Sequence, residues 1–283
     1  MPPPTAAHLI ESATARLAGS PNPRLDAEML FRGVSGMDRA TVLTRGDEAV
    51  DGPLVAKFEV ALARRLRGEP IQYILGRAAF WRDEFAVGPS VLIPRPDTEI
   101  LVEAAAARLR DRDAPALLDI GTGSGCIALS LLRELPGSRA IAVDVSEAAL
   151  EVARRNARDL GLDSRVEFRR SNWLDAVGPS ETFDAIVSNP PYVSRDHESG
   201  LPGEVRDHEP ALALFADRSD DLSSYRSILS GLGRRLRSSG ILALEVGAGQ
   251  AGRVAQLLKD SGLRSIEVLD DLAAIPRVVL GRR

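Results

Sequence analysis

The sequence predicts an α/β protein: a mainly parallel sheet of seven strands with helices on both faces, preceded by a small helical bundle and a β-hairpin linker. From residue 116 onward, strand-like apolar runs alternate with helical patterns, which is typical of βαβ units. Before residue 70 the apolar residues recur only at helical spacing, and between residues 70 and 95 their period changes to two. We therefore expect a helical domain over 1–69 for partner contact or support, a linker over 70–95 and an α/β domain over 96–283.

The N-terminal region predicts four helices. The first, over 5–18, begins with Thr5 as N-cap and ends at Gly19. The second, over 24–31, is expected to turn Leu25, Met29 and Leu30 inward and to stop at Gly33 and Gly36. A short helix is expected over 38–43. A strongly amphipathic helix over 54–67 follows the turn at 51–53.

The linker predicts a hairpin with strands over 71–76 and 80–88, followed by a proline-rich step into a helix over 97–110. In the α/β domain, the expected helices cover 126–134, 147–160, 223–237 and 250–260. The expected strands cover 116–120, 140–143, 166–169, 185–188, 241–246, 265–269 and 277–280. Because the loop over 270–276 is too short for a helix, the last strand is expected to be antiparallel to the one before it.

Length and composition are those of a soluble globular protein, with 283 residues, 44% hydrophobic and 27% charged. A net charge of −4 and a pI of about 5.6 provide no overall basic surface for nucleic acid. The single cysteine cannot form an internal disulfide, which fits a reducing cytosol. We find no apolar run of membrane-spanning length, and Met1 to Pro4 lack the features of a signal peptide. We expect a cytoplasmic monomer without membrane or nucleic-acid partners.

A glycine-rich turn follows the first strand of the α/β domain. Asp119 precedes Gly121, Gly123 and Gly125, which gives the pattern Asp-x-Gly-x-Gly-x-Gly. Such glycines let the backbone turn tightly and approach a ligand closely. A dinucleotide fingerprint would need Gly or Ala at position 126, where Cys126 stands. The loop, with Thr122 and Ser124 between its glycines, therefore favours a ligand without pyrophosphate, such as S-adenosylmethionine.

Polar residues also follow the next two strands. Asp144, 19 residues past Gly125, ends the second strand and can accept hydrogen bonds from both hydroxyls of a ribose. Ser146 is expected to cap the following helix. After the third strand, Asn172 and Trp173 could hold an adenine ring, although Trp173 could equally be a core residue.

The fourth strand ends abruptly in Asn189-Pro190-Pro191-Tyr192. Two prolines cannot continue a strand ladder, so the segment is rigid. The Asn189 side-chain carbonyl and the Pro190 backbone carbonyl are two neighbouring acceptors, and Tyr192 offers an aromatic face. This arrangement suits a planar –NH2 group. The alternative is an ordinary strand end followed by an extended loop.

Together these motifs resemble the class I (Rossmann-like) S-adenosylmethionine-dependent methyltransferases that act on exocyclic amino groups. More specifically, the chain is similar to the protein-(glutamine-N5) methyltransferases of peptide chain release factors. That resemblance rests also on the segments over 68–76, 80–81, 93–99, 187–192 and 244–247, and it spans essentially the whole chain.

The resemblance implies S-adenosyl-L-methionine as methyl donor, with S-adenosyl-L-homocysteine as product and no metal. It implies that residues 121–125, Asp144, Trp173 and Asn189 contact the cofactor. It further implies that residues 189–192 hold the glutamine of a Gly-Gly-Gln loop in a release factor. Two departures stand out: Asn172 replaces the usual Asp, and Phe215-Ala216-Asp217-Arg218-Ser219 replaces a glycine-rich loop.

For the reaction, we expect Asn189 and Pro190 to be the catalytic residues, gripping the two N–H bonds of the amide and aiming its nitrogen at the methyl group. The histidines (His8, His197 and His208) lack ligand spacing, so no metal site is predicted. Two alternatives remain at this level: an adenine-N6 methyltransferase of nucleic acid, and a catalytically silent cofactor-binding scaffold.

Overall fold

The computed structural model describes residues 3–217 and 220–283. Met1, Pro2, Arg218 and Ser219 lie outside the described residues, and with them parts of the N-terminal segment and of the 215–219 loop noted above. The chain divides into two compact units. One runs up to Arg77 and includes Pro202–His208, and the other comprises Ala78–Leu201 and Glu209–Arg283. Within the described ranges we find no helix long and apolar enough to cross a membrane.

The helices are, in chain order, α1 Ala6–Arg16, α2 Pro23–Ser35, α3 Arg39–Thr44, α4 Gly52–Leu66, α5 Ile71–Leu75, α6 Glu99–Leu109, α7 Cys126–Glu134, α8 Glu147–Asp159, α9 Gly203–His208, α10 Ala211–Leu214, α11 Ser223–Leu232 and α12 Ala251–Asp260. The strands are β1 Arg77–Phe80, β2 Asp83–Ala86, β3 Ala116–Ile120, β4 Arg139–Asp144, β5 Val166–Arg170, β6 Phe183–Ser188, β7 Leu236–Glu245, β8 Arg264–Asp270 and β9 Pro276–Arg282. Short 3₁₀ helices cover Pro96–Thr98, Asp163–Arg165 and Arg195–Gly200.

The helical unit forms around one apolar cluster. Side chains of Thr5, Asp38 and Asp51 accept hydrogen bonds from backbone N–H groups and so cap α1, α3 and α4. The rings of Phe31 and Phe58, both fully buried, meet edge to face with centroids 5.6 Å apart. The four helices expected here are confirmed.

Two details of α2 differ from expectation. Leu25 is 52% exposed, because the inward face of the helix is set by Ala27, Leu30 and Phe31, and Leu25 lies on the opposite side. The helix also continues through Gly33 and ends at Gly36, which has a φ of 72°. A Cβ at position 33 would overlap the Leu75 side chain, so Gly33 serves helix packing and not helix termination.

The predicted strand over 71–76 is wrong: residues Ile71–Leu75 form α5. Ile71, Ile74 and Leu75 share one side of a helical turn and pack against the apolar cluster of the helical unit. Gly76, with a φ of 72°, ends the helix. The hairpin is therefore β1–β2, shorter than expected, with Trp81 in its turn. Periodicity cannot separate a five-residue helix from a strand.

The large sheet has the order β5-β4-β3-β6-β7-β9-β8. All its pairs are parallel except those of β9, which is antiparallel to both β7 and β8. This confirms the predicted seven-stranded sheet with an antiparallel last strand. Strand order reverses between β3 and β6, and in such sheets ligands bind at the carboxyl ends of the strands beside that point.

Between β6 and β8 the structure corrects one prediction. The helix expected over 223–237 ends at Leu232, because Leu236 is fully buried in β7 and pairs with Phe183 of β6. The segment from Arg195 to Leu214 contains a 3₁₀ helix and two short α-helices, for which the sequence analysis made no prediction.

Candidate active site

A cavity of about 370 Å³ lies at the carboxyl ends of β3, β4 and β6. Gly121, Asp144 and Asn189, which follow or end these strands, all line it. Its volume is within the range of small-molecule sites. The remaining predicted site residues that line it are Thr122, Gly123, Ser124, Asn172, Trp173 and Pro191, whereas Gly125, Pro190 and Tyr192 do not.

The glycine loop after β3 is shaped by positive backbone φ angles: 72° at Gly121, 56° at Gly123 and 83° at Gly125. The N–H groups of Gly121 and Thr122 both donate to the carbonyl of Val143, at 2.8 and 3.0 Å, which anchors the loop to β4. A Cβ on Gly121 or Gly123 would meet no atom within 4 Å. The backbone of this loop is therefore open to a ligand in the cavity.

Asp119 lies buried beneath this loop. Its Oδ2 accepts from Thr122 Oγ1 at 2.7 Å and from the N–H of Ala128 at 3.2 Å. Burial raises the pKa of Asp119 to about 7, and the nearby Asp144 charge adds to this. Its Oδ1 has no hydrogen-bond partner among the described residues. A buried carboxylate oxygen without a partner fits a cofactor that brings a donor or a positive charge to the loop, as S-adenosylmethionine would.

Asp144 joins the glycine loop to the start of α8. Its Oδ2 accepts from Gly123 N at 2.9 Å and its Oδ1 from Ser146 N at 2.9 Å. Burial raises the pKa of Asp144, while these hydrogen bonds oppose the rise. Ser146 caps α8 through Ala149 N, as expected. Asp144 thus fixes the loop and faces the cavity at once, and its contact with a ribose stays a prediction.

The turn after β5 places Asn172 and Trp173 at the cavity. Trp173 has a φ of 52°, a conformation that is strained for a bulky side chain. Ser171 stabilises it: its Oγ donates to the Trp173 carbonyl and accepts from Ala176 N, both at 2.9 Å. Trp173 lines the cavity and also packs against the core, so both interpretations of this residue apply.

The Asn-Pro-Pro-Tyr segment is held by side chains from distant parts of the chain. Ser224 Oγ donates to the Pro191 carbonyl at 2.7 Å, and Gln250 Nε2 donates to the Tyr192 carbonyl at 3.0 Å. Asn189 Nδ2 donates to Thr98 Oγ1 at 3.2 Å. These bonds fix the segment at the cavity edge beside the glycine loop.

Tyr192 points into the protein more than the sequence suggested. It is partly buried against the core, and its hydroxyl lies 3.4 Å from Glu245 Oε1. Burial and the Glu245 charge raise the pKa of Tyr192 above its ordinary value. Its contact with a substrate stays a prediction.

Sequence reasoning did not identify Thr98 and Glu245 as site residues. Thr98 lines the cavity, and its hydroxyl donates to Glu245 Oε2 at 2.6 Å; both residues are 2% exposed. They occur in the segments 93–99 and 244–247, which carried the family resemblance, but no periodicity or spacing joins the two.

An ion pair between Arg95 and Glu209 holds another part of the cavity wall. Arg95 donates to the buried carboxylate of Glu209 at 2.5 Å, and Ile93 N donates to the same group at 3.1 Å. Arg95 lines the cavity, as do Pro210, Leu212 and Ala213 just after Glu209. The pair therefore fixes the start of this wall.

We compared the chain with models of protein families and with solved structures, and the matches are to methyltransferases. Residues 8–76 match the PrmC N-terminal domain, and residues 96–201 match the methyltransferase small domain. The catalytic domain of hMettl16, solved with a MAT2A 3'UTR hairpin, covers 82% of each chain with a TM-score of 0.58 and 16% identity, a likeness that shows the fold alone.

Closer relatives are similar over nearly the full length. The chain is 43% identical over 261 residues to the release factor glutamine methyltransferase of Neisseria gonorrhoeae, which covers 92% of this chain and 93% of that protein. It is 41% identical over 282 residues to the one from Moorella thermoacetica, which covers 99% of each. The chain belongs to the release factor glutamine methyltransferase family.

Proposed function

We propose that this protein transfers a methyl group from S-adenosyl-L-methionine to the side-chain amide nitrogen (N5) of the glutamine in the Gly-Gly-Gln motif of peptide chain release factors. The observation that carries the proposal is the position of Asn189. Its carboxamide lies at the edge of the cavity that the glycine loop lines, with its nitrogen held by Thr98. Family membership supports the same reaction and a release factor as protein partner.

The cofactor half of the site would use the glycine loop, Asp144, Asn172 and Trp173. The open backbone at Gly121 and Gly123 would permit close approach. Asp119 does not line the cavity itself, and its unpartnered Oδ1 would act from beneath the loop. When bound, the cofactor supplies an electrophilic methyl group. The chain's own contribution is to orient that group.

The acceptor half would use Asn189 and Pro190. An amide nitrogen is a weak nucleophile because its lone pair is delocalised into the carbonyl. The Asn189 Oδ1 would accept one N–H of the substrate amide and the Pro190 carbonyl the other. These bonds would raise the electron density on nitrogen and fix its direction. After transfer the nitrogen is strongly acidic, so its surplus proton can pass to water without a protein base.

The direct test is incubation of the protein with methyl-labelled S-adenosylmethionine and a purified release factor, followed by mass spectrometry of the Gly-Gly-Gln peptide. We expect one added methyl group on the glutamine side chain. A release factor whose motif glutamine is replaced by alanine is the matched control. Transfer to another residue, or none, would refute the proposal.

The same assay separates the alternatives. DNA and RNA oligonucleotides containing adenine test for nucleic-acid methylation, which the net charge of −4 disfavours. Any transfer to protein excludes a silent scaffold. A monomeric state and a cytoplasmic location remain predictions, and size measurement in solution tests the first.

A further inference from the structure

We propose that Thr98 and Glu245 are positioning residues that set the orientation of the Asn189 carboxamide, so that its oxygen faces the substrate. This inference rests on the proposed function, in which that oxygen grips an N–H of the substrate amide. It adds two residues, distant in sequence from the Asn-Pro-Pro-Tyr segment, that act through Asn189.

The side chains of Glu245, Thr98 and Asn189 are joined by two hydrogen bonds in series, and we call this set the relay. Glu245, at the end of β7, accepts from Thr98 Oγ1 at 2.6 Å, a length typical of a hydroxyl bound to a carboxylate. The same Thr98 oxygen accepts from Asn189 Nδ2 at 3.2 Å. Thr98 and Glu245 are both buried, so water does not compete readily for these groups.

The single hydroxyl proton of Thr98 determines which atoms donate and which accept in the relay. A threonine hydroxyl has a single proton, and Glu245 takes it, so toward Asn189 the Thr98 oxygen can only accept. The –NH2 side of the carboxamide satisfies that requirement. The reversed carboxamide would set its oxygen against the hydroxyl oxygen and lose the bond. The buried carboxylate therefore selects which end of Asn189 remains for a ligand in the cavity.

The groups around Glu245 make this selection dependent on pH. Burial raises the pKa of Glu245 to about 7, with Asp97 adding to the rise and the bonds from Thr98 and Tyr192 and the charge of Arg277 opposing it. Cys126 and Tyr225 also lie within electrostatic reach of Glu245. A protonated Glu245 can donate to Thr98, which frees the hydroxyl proton to turn toward Asn189. The carboxamide then loses its fixed direction, so the methylation rate should fall as pH drops below about 7.

The first test is a double-mutant cycle on methyl transfer. Thr98→Val keeps the shape of the side chain but removes the hydroxyl, and we expect kcat to fall by roughly 10- to 100-fold. Thr98→Ser, which keeps the hydroxyl, should retain most of the rate. In an Asn189→Ala background, Thr98→Val should cause no further loss, since Thr98 acts only through Asn189. Equal losses in both backgrounds, or a wild-type kcat for Thr98→Val, would overturn the proposal.

The second test follows the pH profile. In Glu245→Gln the amide oxygen can still accept from Thr98 but cannot titrate. The acid limb of kcat that we expect for the wild type between about pH 6 and 8 should be absent in this variant. An unchanged acid limb in this variant would contradict the relay.

A third measurement needs no turnover and so separates this proposal from the proposed function. In the wild type, the Asn189 side-chain NH2 protons should exchange slowly with water by NMR at pH 8. In Thr98→Val they should exchange faster, while the backbone amides of β6 keep their protection. Equal exchange in both proteins would overturn the positioning role even if the release factor is methylated. If the wild type fails to methylate the release factor but the exchange difference is present, only the proposed function fails.

Discussion

The ends of the neighbouring strands β3 and β6 are built in opposite ways. The glycine loop after β3 is held by residues that are near it in the chain: Asp119 at its base, Val143 and Asp144 of the next strand, and Asn156 on α8, 32 residues from Ser124. The segment after β6 is held by side chains from far away: Thr98, 91 residues from Asn189, and Gln250, 58 residues from Tyr192. One half of the site is therefore local and the other is assembled by the tertiary fold.

Each half also contains a buried carboxyl group, and burial raises the pKa of both to about 7. Asp119 uses one oxygen to support the glycine loop and has no partner on the other among the described residues. Glu245 has a partner on each oxygen, Thr98 and Tyr192. The first carboxyl has capacity left for a ligand, whereas the second is committed to the protein's own side chains. Substitutions in the two halves should therefore affect different measured quantities.

The largest expected effect is that of Asn189→Ala. On the proposed function, we expect kcat to fall by roughly 100- to 1000-fold, because the variant lacks the side-chain oxygen that we propose accepts from the substrate amide. The cofactor Kd, measured by calorimetry, should change only a few-fold.

Asn172→Ala is the matched control for Asn189→Ala, because it also removes a carboxamide from the cavity wall. On the cofactor side it should raise the cofactor Kd and leave kcat at saturating cofactor nearly intact. If both variants lost kcat equally, the division of the site into two halves would fail.

The next effect concerns stability. A carboxyl whose folded-state pKa is raised binds more protons in the folded than in the unfolded state, so stability falls as pH rises from the unfolded to the folded pKa. The pKa of Glu245 is raised from its ordinary value of 4.5 to about 7 in the folded protein. Stability should therefore fall over the pH range between these two pKa values. The free energy of unfolding should fall by on the order of 3 kcal/mol across it from this group alone. Glu245→Gln should lack that fall in urea titrations at pH 5 and 8.

Asp119→Asn should flatten the same stability profile but differ in ligand binding. It changes an oxygen that has no protein partner, so the cofactor Kd should rise, whereas Glu245→Gln should leave the cofactor Kd near that of the wild type. The exposed Glu103→Gln on α6 is the control and should leave the profile unchanged. Similar cofactor binding by the two buried-site variants would remove the contrast between the two carboxyls.

A smaller effect is expected for Gly123→Ala. Its φ of 56° strains a side-chain-bearing residue by roughly 1–2 kcal/mol, and Gly123 lines the cavity, with no atom within 4 Å of an added Cβ. We expect the cofactor Kd to rise by about tenfold with kcat at saturating cofactor less affected. Gly161→Ala has a similar φ of 67° and equally open surroundings but lies away from the cavity. It should share the stability loss without a change in Kd; an equal rise in Kd would show that strain alone is responsible.

The smallest expected effect is that of Asn172→Asp, which places an acid at this position of the cavity wall. Both side chains present an oxygen acceptor, and Asn172 is exposed, so the charge is largely solvated. We expect cofactor affinity to improve by only about two- to fivefold. A much larger gain would indicate that the surroundings of residue 172 are less solvated than its exposure suggests.

The sequence predicted the local half of the site well. The pattern Asp-x-Gly-x-Gly-x-Gly predicted the turn that lines the cavity, and the strand over 116–120 and the helix over 126–134 are confirmed at both ends. These features depend on neighbouring residues: glycines at positive φ and a buried strand with apolar side chains. Structure that depends on residues close together in the chain can be predicted from the sequence alone.

The assembled half was predicted only in outline. Asn189 was predicted from the prolines that follow it. Thr98 and Glu245, in contrast, are in contact but lie 147 residues apart in the chain, and no spacing in the sequence predicts such a contact. The same limit explains the two wrong elements. Residues 71–76 alternate like a strand, yet they fold as a helix because the helical cluster accepts Ile71, Ile74 and Leu75 together. The helix predicted over 223–237 is too long at its C-terminal end, because Leu236 belongs to β7 and pairs with β6.

The placement of β9 has a consequence for the order of events during synthesis. This strand follows all the others described, yet it lies inside the sheet, hydrogen-bonded to β7 on one side and β8 on the other. Its Val278 is the register partner of Glu245. A nascent chain that has not yet exposed residues 276–282 therefore lacks the neighbour that fixes Glu245, and with it the support beneath Asn189. The side of the site that contains Asn189 and Glu245 thus depends on the last described strand, whereas no pairing of β9 with β3 or β4 supports the glycine loop.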